Sequence, residues 1–431
     1  DSCTSEPRHG MALLAVPMAA SAFSGPPVGQ PSRSALRMQL VPVESSEKVK
    51  MNEFGIMKRY LGNTDLLVSE CCLGGMTWGD QNTEADAETQ LNFAFDNGVN
   101  FLDTAEGYPV PMAPGTQGAT DRAIGKWLKS CFWTREQVVI STKVCGYNER
   151  YTWFRESGEG TRLTKGQIIE SVDASLKRLG TDYIDVLQLH WPDRYVALTG
   201  SGRVEPRQRL GARSLGVVGF DEQVEALKEL VDSGKIRHWG LSNENAHGIN
   251  EFRAAADAAG LAPPCIVQNA YSLLQRIDET TDVMGACLGD GTETLPPLSY
   301  VAYSPLSAGV LTGKYATMPA RPGGSGPPKR SRLKMFKGYG NEFQKTQGPA
   351  AVDAYMAVAK KHRITPAQLA IAHCNSRAFV SSTIIGSTTM NQLTENLSSF
   401  LLEWTQELED DVRNVYAAYP EPWRVQVRGG G

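Results

Sequence analysis

Gly98-Val-Asn-Phe-Leu-Asp103-Thr-Ala-Glu-Gly-Tyr108 is the stretch on which the fold turns. An apolar run at residues 100–103 leaves a Gly-containing turn, stops at an acid, and gives way to a helical pattern at 120–129. An apolar run without alternation is the mark of a strand covered on both faces. The same unit recurs along the chain. Strands are predicted at Cys71–Gly74, 100–103, 138–142, Ile184–Leu189, 238–241, 265–268, 298–303 and 382–385. Each is followed by a predicted helix: Glu84–Asp96, 120–129, Lys165–Leu179, 221–233, Ala246–Ala259, 279–288, 350–361 and 390–397. Eight such units imply a parallel sheet covered by helices. They close naturally into a (β/α)8 TIM barrel, an open doubly wound sheet being the other arrangement the pattern allows.

Working outward, residues 57–60 and 66–69 flank Leu61-Gly-Asn-Thr-Asp65 and read as an N-terminal hairpin. Three Gly/Pro/Arg-rich stretches, 109–119, 195–219 and 316–349, read as loop insertions on the barrel. Residues 402–416 read as an extra C-terminal helix packed outside it. The barrel domain is expected over 53–425, with 426–431 a disordered tail and 1–52 a targeting or disordered leader. Residues 11–43 carry no Asp or Glu but two arginines, Arg33 and Arg37. A short apolar run there ends Ala19-Ala-Ser-Ala-Phe23, followed by a Ser/Pro/Arg segment, as in the two-part leaders of algae with complex plastids. A chloroplast protein whose mature form begins well after Met11 is therefore expected, with a cytoplasmic protein bearing a ragged tail as the alternative.

Bulk properties exclude several classes. A formal net charge of −4 and a pI near 6.0 give no reason to expect nucleic acid or an anionic membrane as partner. The eight cysteines form no CxxC pair and no cluster with histidine at metal spacing, so reduced thiols and no metal are expected. No apolar stretch approaches the ~20 residues that span a bilayer.

Chemistry on a parallel barrel belongs at the C-terminal ends of the strands. Strand two ends in Asp103, five residues before Tyr108; strand three ends in Ile140-Ser-Thr-Lys143; strand four ends in Leu187-Gln-Leu-His190-Trp-Pro-Asp193. Singly, each has an ordinary use: a capping acid, a solvated lysine, a packed histidine. Together they suit a carbonyl that gains negative charge on oxygen and needs a proton. A phenol is a weak acid, so Lys143 is expected to lower its proton affinity and Asp103 to hold Lys143. His190 can donate a hydrogen bond that fixes the carbonyl oxygen.

The run 98–108, with Ile140-Ser-Thr-Lys143 and Leu187-Gln-Leu-His190, resembles the aldo-keto reductase superfamily. Within it, Tyr108-Pro-Val-Pro, Thr116-Gln-Gly, His190-Trp-Pro-Asp193 and Gln268-Asn-Ala-Tyr-Ser-Leu-Leu274 look most like the Tas-type branch, related to potassium-channel β subunits. The resemblance runs from about Met57 to Trp423. It implies an NADP-dependent reductase of aldehydes or ketones, with Asp103, Tyr108, Lys143 and His190 catalytic and Tyr108 the proton donor.

It also implies the cofactor contacts. Ser242, Asn243 and Gln268 match residues that hold the nicotinamide carboxamide, and Tyr303 the aromatic stacked on its ring, followed by Ser304, Pro305 and Leu306. Gly309, Gly313 and Lys314 match the pyrophosphate loop; Thr77 and Trp78 match a cofactor-and-substrate wall. Gly386, Ser387, Thr388, Gln392, Glu395 and Asn396 match the adenosine 2′-phosphate site, where a helix N-terminus favours an anion. The commonest family pattern has Lys in place of Gly386 and Arg in place of Gln392; Arg330 and Arg332 are expected to compensate. The partner is a small-molecule carbonyl compound, and monomer and homo-oligomer are both compatible with the sequence. The competing reading is an NADPH-binding regulatory or sensor protein with slow turnover. Trp78, Tyr147, Trp153 and Trp191 suggest an aromatic substrate wall.

Overall fold

The computed structural model describes residues 40–41, 55–194, 196, 216–289, 297–315, 331–335 and 346–423. A small sheet joins β1 (Leu40–Val41), β2 (Lys58–Tyr60) and β3 (Leu67–Ser69), antiparallel throughout. The expected hairpin is present, and β1 adds a third strand from the segment read as leader. Eight parallel strands then close a barrel: β4 (Cys71–Gly74), β5 (Phe101–Asp103), β6 (Val139–Val144), β7 (Ile184–Leu189), β8 (Ile236–Ser242), β9 (Ile266–Ala270), β10 (Ser299–Tyr303) and β11 (Val380–Ile385). Closure is made where Thr383 pairs with Cys71 and Ile385 with Leu73.

Side chains alternate along a strand, which sorts the barrel interior into layers. At the N-terminal end Cys72, Phe101, Val139, Val186, Ile266 and Val301 pack together with Leu61, Leu66 and Val68 of the hairpin, which plugs that end. Two residues further along, the same inward side carries Asp103, Ser141, Gln188, Gln268 and Tyr303. A hydrogen bond of 2.6 Å from Gln188 to Ser141 ties two of these strands in mid-barrel. One step higher stand Lys143 and His190. The outward-facing alternate residues, such as Leu102, Ile140 and Leu187, belong to the main core under the helices.

Besides a single helical turn at Arg332–Met335, the helices among the described residues are α1 (Glu84–Asp96), α2 (Ala119–Ser130), α3 (Lys165–Leu179), α4 (Phe220–Asp232), α5 (Ala246–Ala259), α6 (Asp282–Leu288), α7 (Gly348–Lys361), α8 (Pro366–Asn375), α9 (Met390–Ser398) and α10 (Gln406–Ala418). Helix α8 was not expected. Its start signal is nonetheless complete: Thr365 accepts from Gln368 N, Gln368 reaches back to Thr365 N, and Pro366 opens the first turn. The helix expected at 279–288 divides into a turn at Ile277–Glu279 and the shorter α6. Among the described residues, no helix is long and apolar enough to cross a membrane.

Candidate active site

Strand ends β5, β6 and β7 bring the expected quartet together. Lys143 is 1% exposed and Asp103 3%, and the Lys143 ammonium lies 2.7 Å from both carboxylate oxygens. It also donates to the Thr104 carbonyl at 2.8 Å, while Gln268 donates to Asp103 Oδ1 at 2.7 Å. Asp103 is thereby fully engaged, as a buried carboxylate must be. The Tyr108 ring stands over this pair, its centre 4.8 Å from Lys143 Nζ and 5.7 Å from the centre of the His190 ring.

Burial, and then the Asp103 carboxylate, push the Tyr108 phenol well above its ordinary proton affinity; the charge of Arg332 offsets part of that rise. Lys143 pairs with Asp103 rather than with the phenol. Burial and the nearby Lys143 hold the His190 imidazole well below its usual pKa, so it is neutral. Its Nδ1 lies 3.9 Å from Cys145 Sγ, and its backbone carbonyl accepts from Asn243 Nδ2 at 2.8 Å.

The rim of the barrel places the remaining candidates. Asn243, at φ +55°, accepts a 2.7 Å bond from the Tyr303 hydroxyl, and Ser242 donates to the Gln268 carbonyl at 2.9 Å. Residues Ser304, Pro305 and Leu306 continue from β10 into the turn containing Gly309, where a Cβ would lie 2.6 Å from Lys314 Nζ. Gly313, at φ +77°, ends that turn. Lys314 is an exposed cation whose pKa is lowered by partial desolvation and then by Arg332. Gly386 and Thr388 are exposed just before α9, whereas Ser387 is buried and accepts from Asn396 Nδ2 at 3.1 Å. Gln392 accepts from Thr388 N at 2.9 Å, and Glu395, in the same helix, is partly buried. Thr77 is buried, and its hydroxyl has no partner among the described residues. Trp78 is 1% exposed, packed in the main core, and its indole N–H donates to Gln90 Oε1 at 2.9 Å. Arg330 lies outside the described residues.

Half-buried rings extend outward from the quartet. His190 meets Trp191 with ring centres 4.7 Å apart, and Trp191 meets Tyr151 at 6.3 Å. Trp191 is seated tightly, since a Cβ on Gly146 would come within 1.9 Å of its carbonyl oxygen. Among the described residues, His362, Glu407 and Asp411 have potential ligand atoms within 4.8 Å of one another, but Lys361 already pairs with Glu407 at 3.0 Å and Asp411 at 2.7 Å. Ion pairing accounts for that cluster.

The model of the aldo/keto reductase family matches residues 70–417. The chain belongs to this family. Its members are oxidoreductases that generally bind a nicotinamide cofactor. Protein tas of Escherichia coli (strain K12) is 38% identical over 84% of this reductase-family chain and 97% of its own length. An aldo-keto reductase of Babesia bovis is 35% identical over 67% of the chain and 99% of its own. A probable voltage-gated potassium channel subunit beta of Arabidopsis thaliana is 30% identical over 79% and 89% respectively.

Sequence reasoning passed over one pair at the site of this family member. Glu106, within the opening motif, is 1% exposed and bonded to Arg155 through both carboxylate oxygens, at 2.7 and 2.9 Å. The only signal in sequence was an acid inside an otherwise small-residue turn; nothing marked Arg155 as its partner.

Proposed function

We propose that the protein is an NADP-dependent reductase of aldehyde or ketone carbonyls, with Tyr108 as proton donor. The observation that carries this reading is the geometry of the quartet: the Tyr108 ring stands 4.8 Å from an Asp103-bound Lys143 ammonium and 5.7 Å from the His190 ring, with burial favouring the uncharged phenol and imidazole. A carbonyl oxygen seated between Tyr108 and His190 receives hydrogen bonds from both. As charge builds on that oxygen, the phenol passes its proton, and the Lys143 ammonium then stabilises the phenolate left behind. Asp103 keeps the ammonium in place, and Gln268 and the Thr104 carbonyl complete its surroundings.

The residues present fit a nicotinamide dinucleotide. The buried Thr77 hydroxyl, which has no partner among the described residues, the exposed turn at Gly386 and Thr388 before α9, and the close approach permitted by Gly309 supply a cradle for an extended, anionic ligand. Ser242, Asn243 and Tyr303 would hold its nicotinamide end; Lys314, Arg332, Ser387 and Asn396 would hold its phosphates. Bound NADPH would supply the hydride.

A second reading, an NADPH-binding sensor with slow turnover, is favoured by the likeness to the Arabidopsis channel subunit. Oxidation of NADPH against a panel of aldehydes and ketones tests both: rapid turnover supports the reductase, and stoichiometric binding with negligible turnover supports the sensor. We further propose a plastid location from the acid-free residues 11–43. Residues 11–50 fused to a fluorescent protein should reach the plastid of a suitable alga; diffuse cytosolic signal would sink that idea.

A further inference from the structure

We propose that Glu106 is the positioning residue of Tyr108, fixing the register between the phenol-bearing turn and the end of β6. The inference rests on the reading of Tyr108 as proton donor. Glu106 grips β6 at two points. Its backbone N–H donates to the Lys143 carbonyl at 3.1 Å, and its Oε1 accepts from Cys145 N at 2.6 Å. One residue therefore holds the strand on either side of Val144, immediately beyond the Lys143 side chain. From Glu106 to Tyr108 the chain makes a tight turn, with Tyr108 N donating to the Ala105 carbonyl at 3.0 Å. Gln117 secures the same turn from outside by donating to the Glu106 carbonyl at 2.8 Å.

Arg155 completes the device. Its two terminal nitrogens meet the two Glu106 oxygens, and its Nε donates to Gln167 on α3 at 3.0 Å. The side chains are 0% and 1% exposed. Burial alone would raise the Glu106 pKa, but Arg155, with the bonds from Cys145 N and Ser171, holds the carboxyl below its usual value. A buried ion pair contributes little net stability compared with apolar residues of the same shape. What a two-pronged pair supplies is fixed distance and orientation. Here it locks together the Tyr108 turn, the Lys143 strand and the backbone of Cys145, whose side chain lies against His190. Neither Glu106 nor Arg155 is needed at the reacting atoms, and a displacement of about 1 Å in a donor can cost on the order of 10²-fold in rate.

Two variants test this: Glu106→Gln, and Glu106→Gln combined with Arg155→Gln, which leaves no unpaired buried charge. NADPH binding is titrated by nicotinamide fluorescence, and carbonyl turnover is expressed per bound NADPH, so that loss of folded protein is cancelled. The expected result is wild-type NADPH affinity and substrate KM in the double variant, with kcat lowered roughly 10–100-fold. A kcat within about twofold of wild type would overturn the positioning role while leaving the reductase reading intact. Absence of NADPH-dependent turnover in the wild type, against any carbonyl, would overturn the reductase reading itself. If Glu106→Gln alone fails to fold, the double variant decides.

Discussion

The Lys143 ammonium lies 4.8 Å from the centre of the Tyr108 ring, yet its hydrogen bonds go to Asp103 and the Thr104 carbonyl. The cation is thus held beside the phenol by groups other than the phenol itself. In the proposed mechanism its charge stabilises the phenolate as it develops in the transition state.

Replacing that cation should therefore harm both chemistry and stability. Lys143→Met leaves Asp103 buried and unpaired, a loss that typically costs about 3–5 kcal/mol. Urea unfolding should show that cost, and turnover by the folded fraction should fall at least ~10²-fold. Unchanged turnover would remove Lys143 from the mechanism.

The phosphate-binding groups should discriminate between cofactors. Removing Ser387 together with Arg330 and Arg332 should weaken NADPH by at least ~10-fold more than NADH, because a charge-assisted hydrogen bond contributes about 1.5–3 kcal/mol. Equal losses for both, measured by fluorescence titration, would move the 2′-phosphate site elsewhere.

Stability should depend on pH through two buried histidines. Burial and nearby cations depress the pKa of His190 and of His373, which lies 3.3 Å from the Tyr271 hydroxyl. Unfolding frees both to take up protons near the ordinary pKa of about 6.5. Their contribution is therefore complete above that pH and declines as pH falls below it, by up to ~1.4 kcal/mol per unit for each group. Denaturation curves between pH 7.5 and 5 should show this slope, reduced by about half in His373→Gln. A slope unchanged in that variant would refute the assignment.

The strand ends were legible because each apolar run stops abruptly at a polar residue. Asp103, Lys143 and His190 are such residues, and the alternation along a strand aims all three inward. The packing of Trp78 was not legible: its ring lies against Gly75 and its indole donates to Gln90 on α1, a contact that only the packed helix supplies. Helix α8 escaped because Pro366 follows an existing helix and reads as a terminator, although Thr365 and Gln368 also mark a start. Arg155 escaped for another reason. It lies 49 residues from Glu106, in a loop with no periodic pattern. The proton affinity of Tyr108 likewise depends on burial, which residue spacing does not encode.

Tyr108→Phe tests the central claim most directly. The substitution removes one oxygen from a buried ring and should leave NADPH affinity within about twofold of wild type. Carbonyl-dependent oxidation of NADPH should fall by at least ~10²-fold, the loss expected for a positioned acid. Wild-type turnover in a variant that binds NADPH normally would contradict the assignment of Tyr108 as proton donor.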